Sequence, residues 1–242
     1  MSKNDFWFFQ DDNIPGRPDN AASYIMGIGG VDLEFPADTK LIQLEQDISS
    51  GSITGVVSLP DGVNITAHTH LSLEGQLITT LSSTGGNEDA QVLSTTWTFG
   101  GSGPTTGASG HEHASSPVVW ATRTTNSTVR PVEAALATTV VSLLNSDAKA
   151  SGGLLKNGSG GSYPTSAPPQ RILVKSDAPV AVVTAVVSSV DAGSLARTLS
   201  TALENAKAIR NSSTLQSLQL ENRQWWSTYW NASSITLPTQ PQ

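Results

Sequence analysis

The stretch Gly62-x5-His68-x-His70-x3-Glu74 brings two imidazoles and a carboxylate into one short segment. Residues two apart on a β-strand point to the same face, so His68 and His70 share a side. Two neutral imidazoles and a carboxylate form a ligand set for iron, manganese or zinc. His111-Glu112-His113 lies further along and could add donors. The surrounding pattern argues for a plainer reading. Val63, Ile65, Ala67, Leu71 and Leu73 make the apolar face of the same strand, and the histidines fall on the opposite face with Asn64 and Thr66. If the apolar set takes the core, the histidines face water. The expectation is therefore no metal and no cofactor, with His68, His70 and Glu74 kept as the alternative.

The histidine segment is similar to the first half of the cupin metal signature, whose ligands point into a β-barrel. The loop Gly103-Pro104-x2-Gly107-x3-His111 stands where the second half would be. Other chemistries have less behind them. No Gly-x-Ser-x-Gly turn exists to hold a serine nucleophile, and Ser109-Gly110-His111 sits in a Gly/Ser/Thr stretch. The absence of cysteine excludes disulfides, thiolate metal sites and a cysteine nucleophile. Asp5, Asp11, Asp12 and Glu133 are candidate acids for glycoside hydrolysis, but the sequence places no two of them at the ~5–9 Å such chemistry needs. They read as turn and surface acids. Trp97 and Trp120 have apolar neighbours and read as core residues rather than sugar platforms.

The elements that would position these residues are mostly strands. Of the 242 residues, 37% are hydrophobic and only 14% charged, and Ser and Thr make up about a quarter. That mixture suits a β-rich domain. The net charge of −7 disfavours nucleic acid and an anionic membrane surface as partners. No apolar run reaches the ~18 residues of a membrane-spanning helix, and no basic-then-apolar leader opens the chain. Strands are expected at 41–44, 53–59, 63–73, 76–82, 92–99, 118–125, 134–144, 171–175 and 180–187, with a short one at 24–26 inside a loop over 10–39. Residues 100–116 and 145–170 are expected to be loops. Strands first and helices last imply a sandwich with a helical appendix.

The period changes after 190. Leu195, Leu199, Ala202, Leu203, Ala206 and Ile209 form one helical stripe, with Asp191 or Ser194 as its cap. A second helix carries Leu215, Leu218, Asn222, Trp225 and Tyr229 on one face, flanked by Trp226 and Trp230. Trp225, Trp226, Tyr229 and Trp230 are too much apolar surface to leave in water. Read as inter-domain packing residues, they predict that deleting residues 213–242 improves solubility.

The segment Trp225-Trp226-x2-Tyr229-Trp230-x2-Ser233-x-Ile235-x-Leu237-Pro238 resembles the connector of six-hairpin glycoside hydrolases, closest to the fucosidase-type family 95 and its relatives. Asn4-Asp5-Phe6-Trp7 is similar to a strand end near the start of their N-terminal sandwich, one residue shorter. The resemblance implies a mainly β fold: a large antiparallel β-sandwich of the supersandwich, galactose-mutarotase-like kind over 1–190, a helical linker over 191–232, and at 233–242 the start of an (α/α)6 catalytic barrel. It implies a non-catalytic domain that braces that barrel, with Asn4, Asp5 and Trp7 as substrate-cleft candidates. The implied partners are the barrel of the same polypeptide and an oligo- or polysaccharide, and the implied parent is an extracellular enzyme. The chain itself reads as incomplete at both ends. A free-standing carbohydrate-binding or adhesive sandwich is the alternative. Five sequons, at Asn64, Asn126, Asn157, Asn211 and Asn231, are glycosylation candidates.

Overall fold

The computed structural model describes residues 2–8, 24–85, 90–99, 105–112, 118–125, 131–143, 165–176, 178–209 and 211–233. Fourteen strands precede two helices among these residues. The strands are β1 (Ser2–Phe8), β2 (Tyr24–Gly27), β3 (Gly29–Glu34), β4 (Lys40–Asp47), β5 (Ser52–Ser58), β6 (Asn64–Leu71), β7 (Gln76–Thr84), β8 (Ala90–Thr98), β9 (Thr105–Glu112), β10 (Val118–Thr125), β11 (Glu133–Ser142), β12 (Thr165–Ser166), β13 (Gln170–Val174) and β14 (Val180–Ser188). The helices are α1 (Leu195–Ala208) and α2 (Ser212–Ser233).

An eight-stranded antiparallel sheet in the order β4-β5-β6-β7-β14-β11-β10-β9 is the body of the fold. A smaller sheet lies against it, with β8 at its centre, β3 on one side and β12 and β13 on the other. Between the sheets, Leu59, Val63, Ile65, Leu81 and Val182 of the large sheet meet Val92, Ile172 and Val174 of the small one. A chain of buried hydroxyls also crosses this interior: Thr96 Oγ1 donates to Thr138 Oγ1 at 2.7 Å, and Thr138 and Thr184 share a bond at 2.9 Å. Paired hydroxyls satisfy each other where no water reaches.

The outer face of the large sheet is covered too. α1 lies on Val118, Ala135, Ala137, Ala185 and Val187 through Ala202, Leu203 and Ala206. Small residues on both sides let the helix backbone come close. β11 and β14 are therefore buried on both faces and read as nearly unbroken apolar runs. Ser194 is the N-cap of α1 by backbone conformation, but its hydroxyl makes no cap bond. Asp191 works in the preceding turn instead, accepting from the Ser188 amide at 2.8 Å. Asn211 caps α2, its Oδ1 accepting from the Thr214 amide at 3.0 Å.

Several expectations need correction. The loop expected over 10–39 contains β3, and the loop expected over 100–116 contains β9. Both strands carry two glycines that look like turn signals, yet a tryptophan ring lies over one glycine of each. Gly30 faces Trp97 across the β3–β8 pair, and a Cβ there would come 3.0 Å from the indole. Gly110 faces Trp120 across the β9–β10 pair, and a Cβ would come 2.7 Å from the ring. A large ring over a glycine replaces the missing side-chain cover. Trp97 and Trp120 are thus packing residues. The two C-terminal helices stand where they were expected, and both share a core with the large sheet.

The close contact between α1 and the sheet yields a prediction. Ala202→Leu should overpack it and cost about 1–3 kcal/mol, read as a lower urea midpoint at unchanged slope. An unchanged midpoint would show that α1 rides loosely on the sheet.

Candidate functional site

The outer face of the large sheet brings the singled-out histidines to α2. In an antiparallel pair, directly opposed residues share a face. One cross-strand row runs Asp47, Ser52, His70, Ile78, Val183, and the next runs Glu45, Thr54, His68, Thr80, Ala181. Both rows lie on the helix side, where Leu215 and Leu218 of α2 cluster with Ile78, Ala181 and Val183.

The expected facing of β6 holds only for its first half. Val63 and Ile65 are core residues, but Leu71 and Leu73 are 54% and 52% exposed, and His70 is 4% exposed. The reason is coverage. The small sheet covers the inner face of β6 only as far as Ala67. At the far end it is the outer face that is covered, by α2. Alternation on a strand says which residues share a face but not which face is dry.

His70 is therefore a buried imidazole, and neither ring nitrogen has a hydrogen-bond partner among the described residues. Burial first, then His68 and the Arg223 guanidinium, push its pKa down to about 4. His68, with its ring centroid 5.8 Å from that of His70, is lowered by burial and then by Arg223. Glu74 belongs to the β6–β7 turn, where its carboxylate accepts from the Gln76 side-chain Nε2 at 3.3 Å. Among the described residues no three His, Cys, Asp or Glu side chains group closely enough to hold a metal ion. His113 lies outside the described residues. Glu112 pairs with Lys207 of α1.

Beside the histidines, α2 and the β4–β5 hairpin enclose a polar cleft of about 460 Å³ whose lining includes Glu45, Asp47, Ser52, Thr54, His68 and Arg223. Ser49 first and then Ser50 hold the Asp47 carboxyl down at about 2 by hydrogen bonding. Its two oxygens accept from these hydroxyls at 2.6 Å each.

The C-terminal half of α2 is tied to the same hairpin. Asn222 is buried and donates to the Ser50 carbonyl at 3.0 Å. Trp226 lies on Gly51, where a Cβ would stand 2.0 Å from the indole nitrogen and where φ is +61°. Trp230 Nε1 donates to the Ile48 carbonyl at 2.7 Å. Trp225 and Tyr229 point elsewhere. They stack on each other at 5.5 Å and 9° and are 45% and 42% exposed. The sequence had placed these two in line with Leu215, Leu218 and Asn222, yet the packing stripe continues through Trp226 and Trp230.

The remaining candidates are scattered. Asn4, Asp5 and Trp7 lie on β1, with Trp7 opposite Ile25 of β2. Glu133 opens β11, accepts from the Thr124 hydroxyl at 3.0 Å, and is raised by burial against that bond. Asn64, Asn211 and Asn231 are exposed, whereas Asn126, Asn157, Asp11 and Asp12 lie outside the described residues. The cleft itself was missed. Its only sequence signal is the polar alternation Gln43, Glu45, Asp47 on a strand with apolar neighbours.

The fold is a mainly β antiparallel sandwich with two C-terminal helices. No protein-family model matches the chain, and no curated protein matches it. Among solved structures, it is similar to one titled "Putative kojibiose phosphorylase from human microbiome", at 10% identity and a TM-score of 0.48. The likeness covers 86% of this chain and 29% of that one, so this chain spans under a third of that structure's length. Among the described residues no helix is long and apolar enough to cross a membrane.

Two predictions follow from this geometry. With a folded pKa near 4 against 6.5 unfolded, neutral His70 contributes stability that is complete above pH 6.5. The unfolded state takes up the proton first as pH falls, so stability drops between pH 6.5 and 4 by on the order of 3 kcal/mol. His70→Leu should flatten that part of the curve, and an unchanged slope would assign the acid sensitivity to other groups. Gly51→Ala should displace the Trp226 ring and strain the positive φ, costing upwards of about 1 kcal/mol with a red shift in tryptophan emission. Emission identical to wild type would mean that the ring does not rest on the turn.

Proposed function

We propose that the chain is the non-catalytic β-sandwich of a carbohydrate-active enzyme, with α1 and α2 serving to brace a catalytic domain of the same polypeptide. The observation that carries this reading is the split of the aromatic cluster. Trp226 and Trp230 fix α2 to the β4–β5 hairpin, while Trp225 and Tyr229 present a stacked, half-exposed aromatic pair on the helix so fixed. Rigidly held aromatic rings at a surface suit docking of another body, since little side-chain freedom is lost on contact. The Trp-Trp-x2-Tyr-Trp segment with its Ser, Ile and Leu-Pro sequel supports assignment of that body. In the family 95-type enzymes it resembles, such a segment joins the sandwich to an (α/α)6 barrel. On this reading the parent enzyme is extracellular and acts on an oligo- or polysaccharide, with Asn4, Asp5 and Trp7 near its substrate cleft. Asn64, Asn211 and Asn231 are then open to glycosylation.

α2 also covers Ile78, Val183 and His70, so removing residues 213–242 is expected to destabilise the sandwich rather than improve its solubility. That corrects the expectation drawn from the tryptophans alone.

The test compares the isolated chain with the complete open reading frame. Aryl glycosides should be hydrolysed only by the latter. Trp225→Ala with Tyr229→Ala should leave the melting temperature of the isolated chain nearly unchanged and lower that of the complete protein. Glycosidase activity in the isolated chain, or a double variant equally harmless in both, would overturn the proposal.

A further inference from the structure

The cleft between the β4–β5 hairpin and α2 has walls of unlike charge that do not touch. Arg223 stands on the helix side and makes no hydrogen bond or ion pair with a described residue. Glu45 stands on the strand side, its Oε2 accepting from Gln43 at 3.1 Å and from no other described residue. Asp47 is spent on Ser49 and Ser50. An arginine and a glutamate that share a cleft without meeting leave a gap with a donor fork on one side and an acceptor on the other. The floor between them is Ser52, Thr54 and His68, which supply further hydroxyls and a ring nitrogen. Trp226 lies one helical turn beyond Arg223, and its ring rests on Gly51 between cleft-lining Ser50 and Ser52. That contact holds the two walls at a fixed separation.

We propose that this cleft binds a neutral mono- or disaccharide, with Arg223 donating to and Glu45 accepting from its hydroxyls. The inference rests on the carbohydrate-active reading and deepens it by placing a sugar site away from β1. Chemistry selects the ligand class. The lining carries two carboxylates against one guanidinium, which opposes an anion. The guanidinium opposes a metal cation, and among the described residues no three-ligand group stands here. A vicinal polyol offers both donors and acceptors and satisfies both walls together. His68, its pKa lowered by burial, enters neutral at pH 7 and takes either role. The volume of about 460 Å³ lies in the lower part of the ~300–1,000 Å³ range of small-molecule sites, which suits one or two sugar rings.

The test is amide-resolved NMR titration of the full chain with neutral mono- and disaccharides, using glycerol and a sulfated sugar as controls. The expected result is saturable shifts in residues 45–54 and 220–226 for at least one sugar, with Kd on the order of 1 mM. Glu45→Gln and Arg223→Ala should each weaken that binding about tenfold with unchanged melting temperature. The proposal is overturned if no sugar gives saturable shifts there, if glycerol or the sulfated sugar matches the best neutral one, or if binding survives both substitutions. The bracing role is judged separately, by glycosidase activity of the complete reading frame and by Trp225 and Tyr229. Failure of the cleft therefore leaves that reading standing.

Discussion

A wide antiparallel sheet can bury its central strands only if something covers each face. Here the small sheet covers one face and two helices cover the other, and neither cover reaches the whole sheet. Where both are present, as over β11 and β14, the strands are apolar on both sides. Where only the helix is present, the outer face is dry and the inner face is wet, as at His70 and Leu71. Where neither reaches, as at β4, every residue is exposed. The placement of α2 thus decides which side chains of β5 and β6 are structural and which line the polar cleft.

What places α2 is a contact between a turn without a side chain and a large ring. Gly51 holds a positive φ, and its bare backbone receives Trp226. The same pairing of glycine with tryptophan recurs at Gly30 with Trp97 and Gly110 with Trp120. In the strands it restores cover over an edge. In the hairpin it ties a helix to a sheet it would otherwise overhang. Bonds from Asn222 and Trp230 to the Ser50 and Ile48 carbonyls satisfy backbone acceptors that the turn leaves free.

Most of the sheet was legible because period-two alternation and turn residues are local signals. The strands from β4 to β8 and β10, β11, β13 and β14 fall where Val, Ile and Thr alternate or run together. β3 and β9 were not legible. Their Gly29-Gly30 and Gly107, Gly110 read as breakers, and only contacts across the ladder explain them: indoles over Gly30 and Gly110, the Trp97 backbone at Gly29 and the Thr165 side chain at Gly107. The same limit applied to the candidate site. The histidines were visible as a pair on one face of one strand, but their surroundings come from β4, α2 and a turn remote in sequence.

The sequence by itself determined the β-then-α order and the pairing of His68 with His70 on one face. These depend on periodicity and composition, which act over a few residues. The tertiary structure alone decided the rest. After Asn222, a step of three leads to Trp225 and a step of four to Trp226, and both fit a helix of 3.6 residues per turn. The position of Gly51 selected the second, because the bare backbone of that turn receives the Trp226 ring beside the helix. That choice put Trp226 and Trp230 on the sandwich, left Trp225 and Tyr229 facing outward, and set Arg223 across the cleft from Glu45.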